Sequence, residues 1–126
     1  MLDDILRLLD SSSLLHDLQI VEIIVYGQSA FRAKLRSRVT EELTFQVWLN
    51  HNEHRTRYAY QLFRRSQPIL RWDNAPHHPE HGTNFPHHFH DESGRLLSSA
   101  LSGNPLDDIM AVLLEIEVYL RSARRE

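Results

Sequence analysis

Six of the nine histidines in this 126-residue chain fall within 14 positions, at His77, His78, His81, His87, His88 and His90. Arg71, Trp72, Asp73, Asn74, Glu80, Phe85 and Phe89 stand among or just before them. Imidazole titrates near neutrality, so one ring can take a proton while a protonated neighbour gives one. Two such groups and an arginine can cleave RNA without a metal ion. The ribose 2′-hydroxyl is then an internal nucleophile, and Arg71 can stabilise the pentavalent phosphorane. The candidate catalytic residues are Arg71, Asp73, His77, His78, His87, His88 and His90. Neutral imidazoles also suit zinc, nickel or copper, with Asp73 or Glu80 completing a site of three or four ligands, although the spacing follows no zinc motif. In a third, structural reading the rings stack on proline, Trp72, Phe85 and Phe89 and donate to backbone carbonyls. The residues alone leave the three readings open.

Alternation sharpens the choice of residues. If Phe85 to His90 is extended, His88 and His90 share one face as the working pair, while His87 points away with Phe85 and Phe89. Asp73 can orient one imidazole through its second ring nitrogen, or simply cap the turn at Asp73-Asn74-Ala75-Pro76.

The polyanion such chemistry needs has a counterpart in charge. The net charge is -3, yet residues 28–72 carry nine of the 14 Lys and Arg against three Glu, an excess of six positive charges. The remainder of the chain carries nine net negative charges. Arg32, Lys34, Arg36 and Arg38 occupy alternate positions, and with Arg55 and Arg57 they are the candidate nucleic-acid contacts, Tyr58 and Tyr60 offering stacking surfaces. The bland reading is a solvated strand face. Thirteen arginines to one lysine suit bidentate phosphate recognition, and a genome rich in G and C gives the same bias. Trp48 and Tyr26 read as core or edge aromatics.

The elements that must position these groups follow from periodicity. Residues 3–15 read as a short amphipathic helix with Asp3 and Asp4 at its positive end and Ser11-Ser12-Ser13 interrupting it. Gln19 to Tyr26 is β-branched and almost wholly apolar, predicting a central strand covered on both sides. Phe31 to Val39, Leu43 to Leu49, Arg55 to Leu62 and Ile69 to Trp72 follow as strands joined by short turns, which makes neighbours antiparallel. Asn74 to Gly103, rich in Pro and Gly, reads as irregular. The last helix is well marked: Asn104 is a good N-cap, Pro105 sits at the first helical position, and Asp107 and Asp108 fill the first turn. Leu106, Ile109, Leu113, Ile116 and Leu120 form its buried stripe. The expected fold is therefore α+β: an antiparallel β-meander of about five strands packed with an N-terminal and a C-terminal helix, forming one domain over residues 1–126, with a His-rich functional loop at 71–103.

Composition narrows the classes further. Apolar residues make up 41% and charged residues 25%, the balance of a globular chain. No cysteine is present, which removes disulfides and thiolate metal sites and fits a reducing compartment. The N-terminus lacks signal-peptide features and no apolar run approaches the ~20 residues that span a bilayer, so the expectation is a cytoplasmic protein without a membrane partner.

Two elements carry a family resemblance. Arg71 to His78 reads Arg-aromatic-Asp-Asn-Ala-Pro-His-His, and Phe85 to His90 reads Phe-Pro-His-His-x-His. In these the chain resembles the TumE family of bacterial toxin-antitoxin proteins. It departs from the pattern in His81-Gly82 between the elements and in Phe89, where a lysine is common. The resemblance implies the toxin component of a type II system, with a helix-turn-helix antitoxin that neutralises it by contact. Combined with the residue chemistry, the expectation is a toxin acting on RNA or translation, a metal-independent ribonuclease that requires no cofactor, with a homodimer as a further possibility. The alternative is a non-enzymatic metal-binding or interaction module holding zinc or another divalent metal.

Overall fold

The computed structural model describes residues 1–76 and 84–124. Helix α1 (Leu2–Ser11) leads into seven strands: β1 (His16–Gly27), β2 (Ala30–Arg38), β3 (Leu43–His51), β4 (Thr56–Arg64), β5 (Gln67–Asp73), β6 (His88–His90) and β7 (Leu96–Ser98). Helix α2 (Pro105–Arg124) closes the chain. The strands form one sheet in sequence order, each antiparallel to its neighbour. The meander and its two helices match the sequence expectation, with α1 ending at the serines and four residues short of the predicted end at residue 15.

Two corrections concern the sheet. Among the described residues it has seven strands, not about five, because the stretch read as irregular contains β6 and β7, each only three residues long. Strands so short are not detected as strands by hydrophobic periodicity, and the proline and glycine around them read as loop. Strand β1 is the second correction. It was expected at the centre, yet it forms an edge of the sheet, and Ile20, Val21, Val25 and Tyr26 are all exposed. An apolar run satisfies a doubly covered strand and a bare edge equally well in sequence, and only the sheet order separates them.

Binary patterning explains which face is covered. Phe31, Ala33 and Leu35 of β2, Phe45, Val47 and Leu49 of β3, Tyr58, Tyr60 and Leu62 of β4, and Leu70 and Trp72 of β5 point to one side. There they join Ile5 and Leu9 of α1 and Ile109, Val112, Leu113 and Ile116 of α2 in a single hydrophobic cluster. Of the predicted α2 stripe, Leu106 and Leu120 are partly buried against this core and Val112 takes a place in it. The helix start forms as read: the Leu106 N–H donates to Asn104 Oδ1 at 3.1 Å and the Asp108 N–H to Asn104 O at 2.9 Å. The buried Asp108 accepts the N–H groups of Ser102 and Gly103 at 2.9 and 2.7 Å, fixing the connection before the helix.

With both helices on one side, the other side of the sheet is left open. Arg32, Lys34, Arg36 and Arg38 lie there, as their alternation required. Tyr58 and Tyr60 do not: both are buried, stacked on each other with ring centroids 4.8 Å apart, so they offer no surface to a base. They share the parity of Leu62, not that of Arg57. The fully buried Ile109 joins α2 to the sheet, so Ile109→Ala is expected to cost about 2–5 kcal/mol, read as a lower urea midpoint with an unchanged slope.

Candidate functional site

Arg71–Asp73 of the first element lie in β5, and His88–His90 of the second form β6, its antiparallel neighbour. Asp73 of β5 pairs with His88 of β6, Arg71 pairs with His90, and Trp72 pairs with Phe89. Strand alternation then sorts the six side chains. Trp72 and Phe89 turn inward, with ring centroids 4.9 Å apart. Arg71, Asp73, His88 and His90 turn to the open face. The inner pair is tied to the last helix by the Trp72 indole N–H, which donates to Glu115 Oε2 at 2.6 Å.

On the open face Asp73 is the hub. Its side chain is only 4% exposed, and it meets Arg71 Nε at 2.6 Å, His88 Nε2 at 2.8 Å and His90 Nε2 at 3.5 Å. It also accepts the Ala75 N–H at 3.0 Å, so the turn-capping and the imidazole-orienting roles expected of it both occur. Asn74 carries the β4 pairing one residue past the strand with its side chain: Oδ1 accepts the Tyr58 N–H at 3.0 Å and Nδ2 donates to Thr56 O at 2.7 Å. On the far side of the connection, Asn84 donates to Ser99 O and Leu101 O at 2.7 and 2.9 Å, anchoring the segment that leads into β6.

The two imidazoles differ. The His88 side chain is 5% exposed, and its Nδ1 lies 3.0 Å from Pro86 O while Nε2 faces Asp73. A carbonyl and a carboxylate are both acceptors, so the ring stands between two acceptors, one at each nitrogen. His90, with its side chain 33% exposed, is the ring of the pair that solvent reaches. The two rings meet edge to face with centroids 5.1 Å apart. One ligand atom from each of Asp73, His88 and His90 lies within 4.8 Å of the others, a spacing open to a metal ion.

His87 is separate from this group, as its parity predicts. Its Nδ1 lies 2.7 Å from the Tyr58 hydroxyl. Burial pushes the Tyr58 pKa up, so the hydroxyl stays protonated and donates to the neutral imidazole. His77 and His78, with Glu80 and His81, lie outside the described residues.

The basic row continues the site across the sheet. Register aligns Lys34, Trp48, Ala59, Asp73 and His88 in one transverse line, and Arg36, Gln46, Gln61, Arg71 and His90 in the next. A groove of about 510 Å³ runs along these lines, walled by Lys34, Gln46, Trp48, Arg57, Gln61, Arg71 and Asp73, with Ala59 between the larger side chains. Arg57 donates to Asn74 O at 3.2 Å and so sits beside the site. Arg32 and Arg38 pair with Glu22 and Asp17 of β1 at 2.9 and 3.1 Å, and Arg36 with Gln46 at 2.8 Å. The exposed Arg55 lies in the turn before β4, away from the groove. Sequence reasoning missed Trp48, Gln46 and Gln61 as groove residues. The signal was present in the parity of Trp48, which is opposite to Val47 and Leu49.

Fold and site together define a small α+β protein with an open sheet face carrying a buried aspartate, two histidines and a row of cations. The family model for toxin TumE matches residues 5–122, and the chain belongs to that family of toxins. Membership implies an antitoxin as partner. Comparison with curated proteins and with solved structures gave no match. Among the described residues no helix is long and apolar enough to cross a membrane.

Burial holds the His87 pKa below the ordinary 6.5, with Asp108 opposing that shift and His88 adding to it. The folded chain therefore favours neutral His87: its contribution is whole above 6.5 and is lost as pH falls through the lower folded value. Melting temperature followed over this acid range is expected to fall with pH, and His87→Gln is expected to flatten that part of the decline.

Proposed function

We propose that this toxin acts on RNA, with the Asp73 cluster as the acid and base centre and the open sheet face as the seat of the polyanion. The observation that carries the reading is the Asp73 carboxylate holding Arg71, His88 and His90 together at one end of a groove whose other end is basic. His90, the accessible ring, takes the proton of the ribose 2′-hydroxyl as the internal oxygen attacks the phosphorus. Asp73 orients His90 and stabilises the imidazolium that forms. Arg71 offers the rest of its guanidinium to the phosphorane oxygens. His88, buried and bonded on both ring nitrogens, fixes the carboxylate instead of meeting substrate. The departing 5′ oxygen needs a proton donor, and His77 and His78, which stand between the two elements in the sequence, are the candidates. Lys34, Arg36 and Arg57 contact the flanking phosphates, with Arg32, Arg38 and Arg55 adding to the field of that face. The partner is a type II, helix-turn-helix antitoxin, and the place of action is the cytoplasm, where RNA is exposed.

The histidine geometry also supports a second reading, a metal-binding or interaction module. A His88 Nδ1–H donated to a backbone carbonyl would leave Nε2 as a ligand atom beside Asp73 and His90, the arrangement usual around zinc-bound histidines. The two readings separate in one set of measurements. Under the ribonuclease reading, His90→Ala abolishes growth arrest on induced expression and slows RNA cleavage by roughly 100- to 10,000-fold, and the protein remains folded because the ring is only a partner at the rim. Wild-type arrest that persists in well-expressed His90→Ala would sink the assignment. A stoichiometric divalent metal in untagged protein, removed by chelator together with thermal stability, would carry the second reading instead.

A further inference from the structure

We infer that the groove contains a nucleobase subsite on Trp48; this rests on the RNA reading and adds a residue that the acid and base chemistry does not involve. Trp48 is half-buried, on the open face, with Lys34 on one side of it in the transverse line and Ala59 on the other. A methyl side chain at 59 leaves a hollow between the indole and Asp73, and the groove of about 510 Å³ passes through it. A base is flat and apolar on its faces, and an indole that borders such a hollow is a stacking partner for it. Gln61 in the adjoining line presents an amide, which can donate and accept, toward the edge of a base. Lys34 and Arg57 lie where phosphates on either side of the stacked nucleotide would pass. Three strand spacings separate β2 from β5, roughly 14 Å, which is the reach of about two nucleotides of extended single strand. The subsite therefore seats the nucleotide next to the scissile phosphate, and single-stranded RNA is the substrate class that fits, since a paired base cannot lie on the indole.

Trp48 also supplies the readout. The other tryptophan, Trp72, is 1% exposed and bonded to Glu115, so emission that changes with added ligand comes from Trp48. The purified full chain is titrated with a 2′-O-methyl oligoribonucleotide, which binds but offers no nucleophile for cleavage. Quenching that saturates, weakens with salt and is absent for the duplexed oligonucleotide is expected. Trp48→Ala should weaken binding, measured by anisotropy of a labelled oligonucleotide, by roughly five- to a hundredfold, with Trp48→Phe retaining most of it. Binding that leaves the emission unchanged and ignores Trp48→Ala overturns the subsite while leaving the RNA reading intact. Cleavage failure in a chain that still quenches would strike that reading alone.

A different observation, on the opposite side of the molecule, carries a second inference. Helix α2 buries Ile109, Val112, Leu113 and Ile116, yet its outer side also bears Met110, Leu114 and Val118, exposed by 55, 63 and 59%. The stripe is symmetric in sequence. Met110 and Val118 lie four residues either side of Leu114, and the exposed Asp107 and Arg121 lie seven either side. Two copies packed antiparallel about Leu114 would bring Met110 onto Val118 and Asp107 against the opposite charge of Arg121, twice each by the two-fold axis. We propose that this stripe is the interface with a second copy of the chain. Because the chain has no cysteine, introduced thiols test the axis directly. In the full chain under mild oxidation, Leu114→Cys is expected to give a disulfide-linked dimer. Met110→Cys and Val118→Cys alone should not, being about 12 Å out of register along the helices, whereas a mixture of the two should. Sedimentation of the wild type should show a dimer that Leu114→Glu converts to monomer. A monomeric wild type, or a dimer indifferent to Leu114→Glu, overturns the interface.

Discussion

The open face is organised by one carboxylate that has almost no water. Asp73 must be compensated where it lies, and three cationic or donor groups and a backbone N–H do so from Arg71, His88, His90 and Ala75. A buried charge deprived of its partners costs several kcal/mol, roughly 3–5, so the two close side-chain partners, Arg71 and His88, cannot be moved without that cost, whereas His90, at 3.5 Å and on the rim, can. The requirement fixes the hairpin register as well. A one-residue slip would send His88 and His90 inward and Phe89 to the open face, exchanging a charge cluster for a stack. The same interaction that holds the fold at this edge therefore holds the site.

The inner face applies a second constraint through the same strands. Trp72 and Phe89 stack beneath the cluster, and the Trp72 indole reaches Glu115 on α2. Each strand of the hairpin thus carries a polar residue for the site on one side and an aromatic anchor on the other. This division makes three-residue strands sufficient: side-chain contacts on both faces replace the ladder that a longer strand would supply.

Much of this was legible in the residues. Alternation placed His88 and His90 together and His87 apart, and it placed the four basic residues of β2 on one face. Asn104, Pro105 and the acidic first turn located α2. What escaped had physical causes. The apolar content of β1 could not reveal its place at the edge, because burial is a property of neighbours. The chemistry of Tyr58 and Tyr60 suits stacking on a base, but their parity with Leu62 puts them in the core. Trp48 is the converse, an aromatic on the polar side of its strand. The pairing of Asp73 with His88 required a 14-residue connection to close, and no local pattern encodes where such a connection returns.

The strictly sequential order of the sheet has a consequence for synthesis. Each strand pairs with the one made just before it, so the sheet can grow in the order in which the chain leaves the ribosome. The cation row is then complete early, and the aspartate waits on the ribosome side of the chain until its two histidines follow. The underside of that hairpin stays wet until Glu115 and the apolar turns of α2 emerge last. A nascent toxin is thus assembled with its charged face first and its keystone helix at the end, so that a chain interrupted before α2 would lack the support beneath its own site.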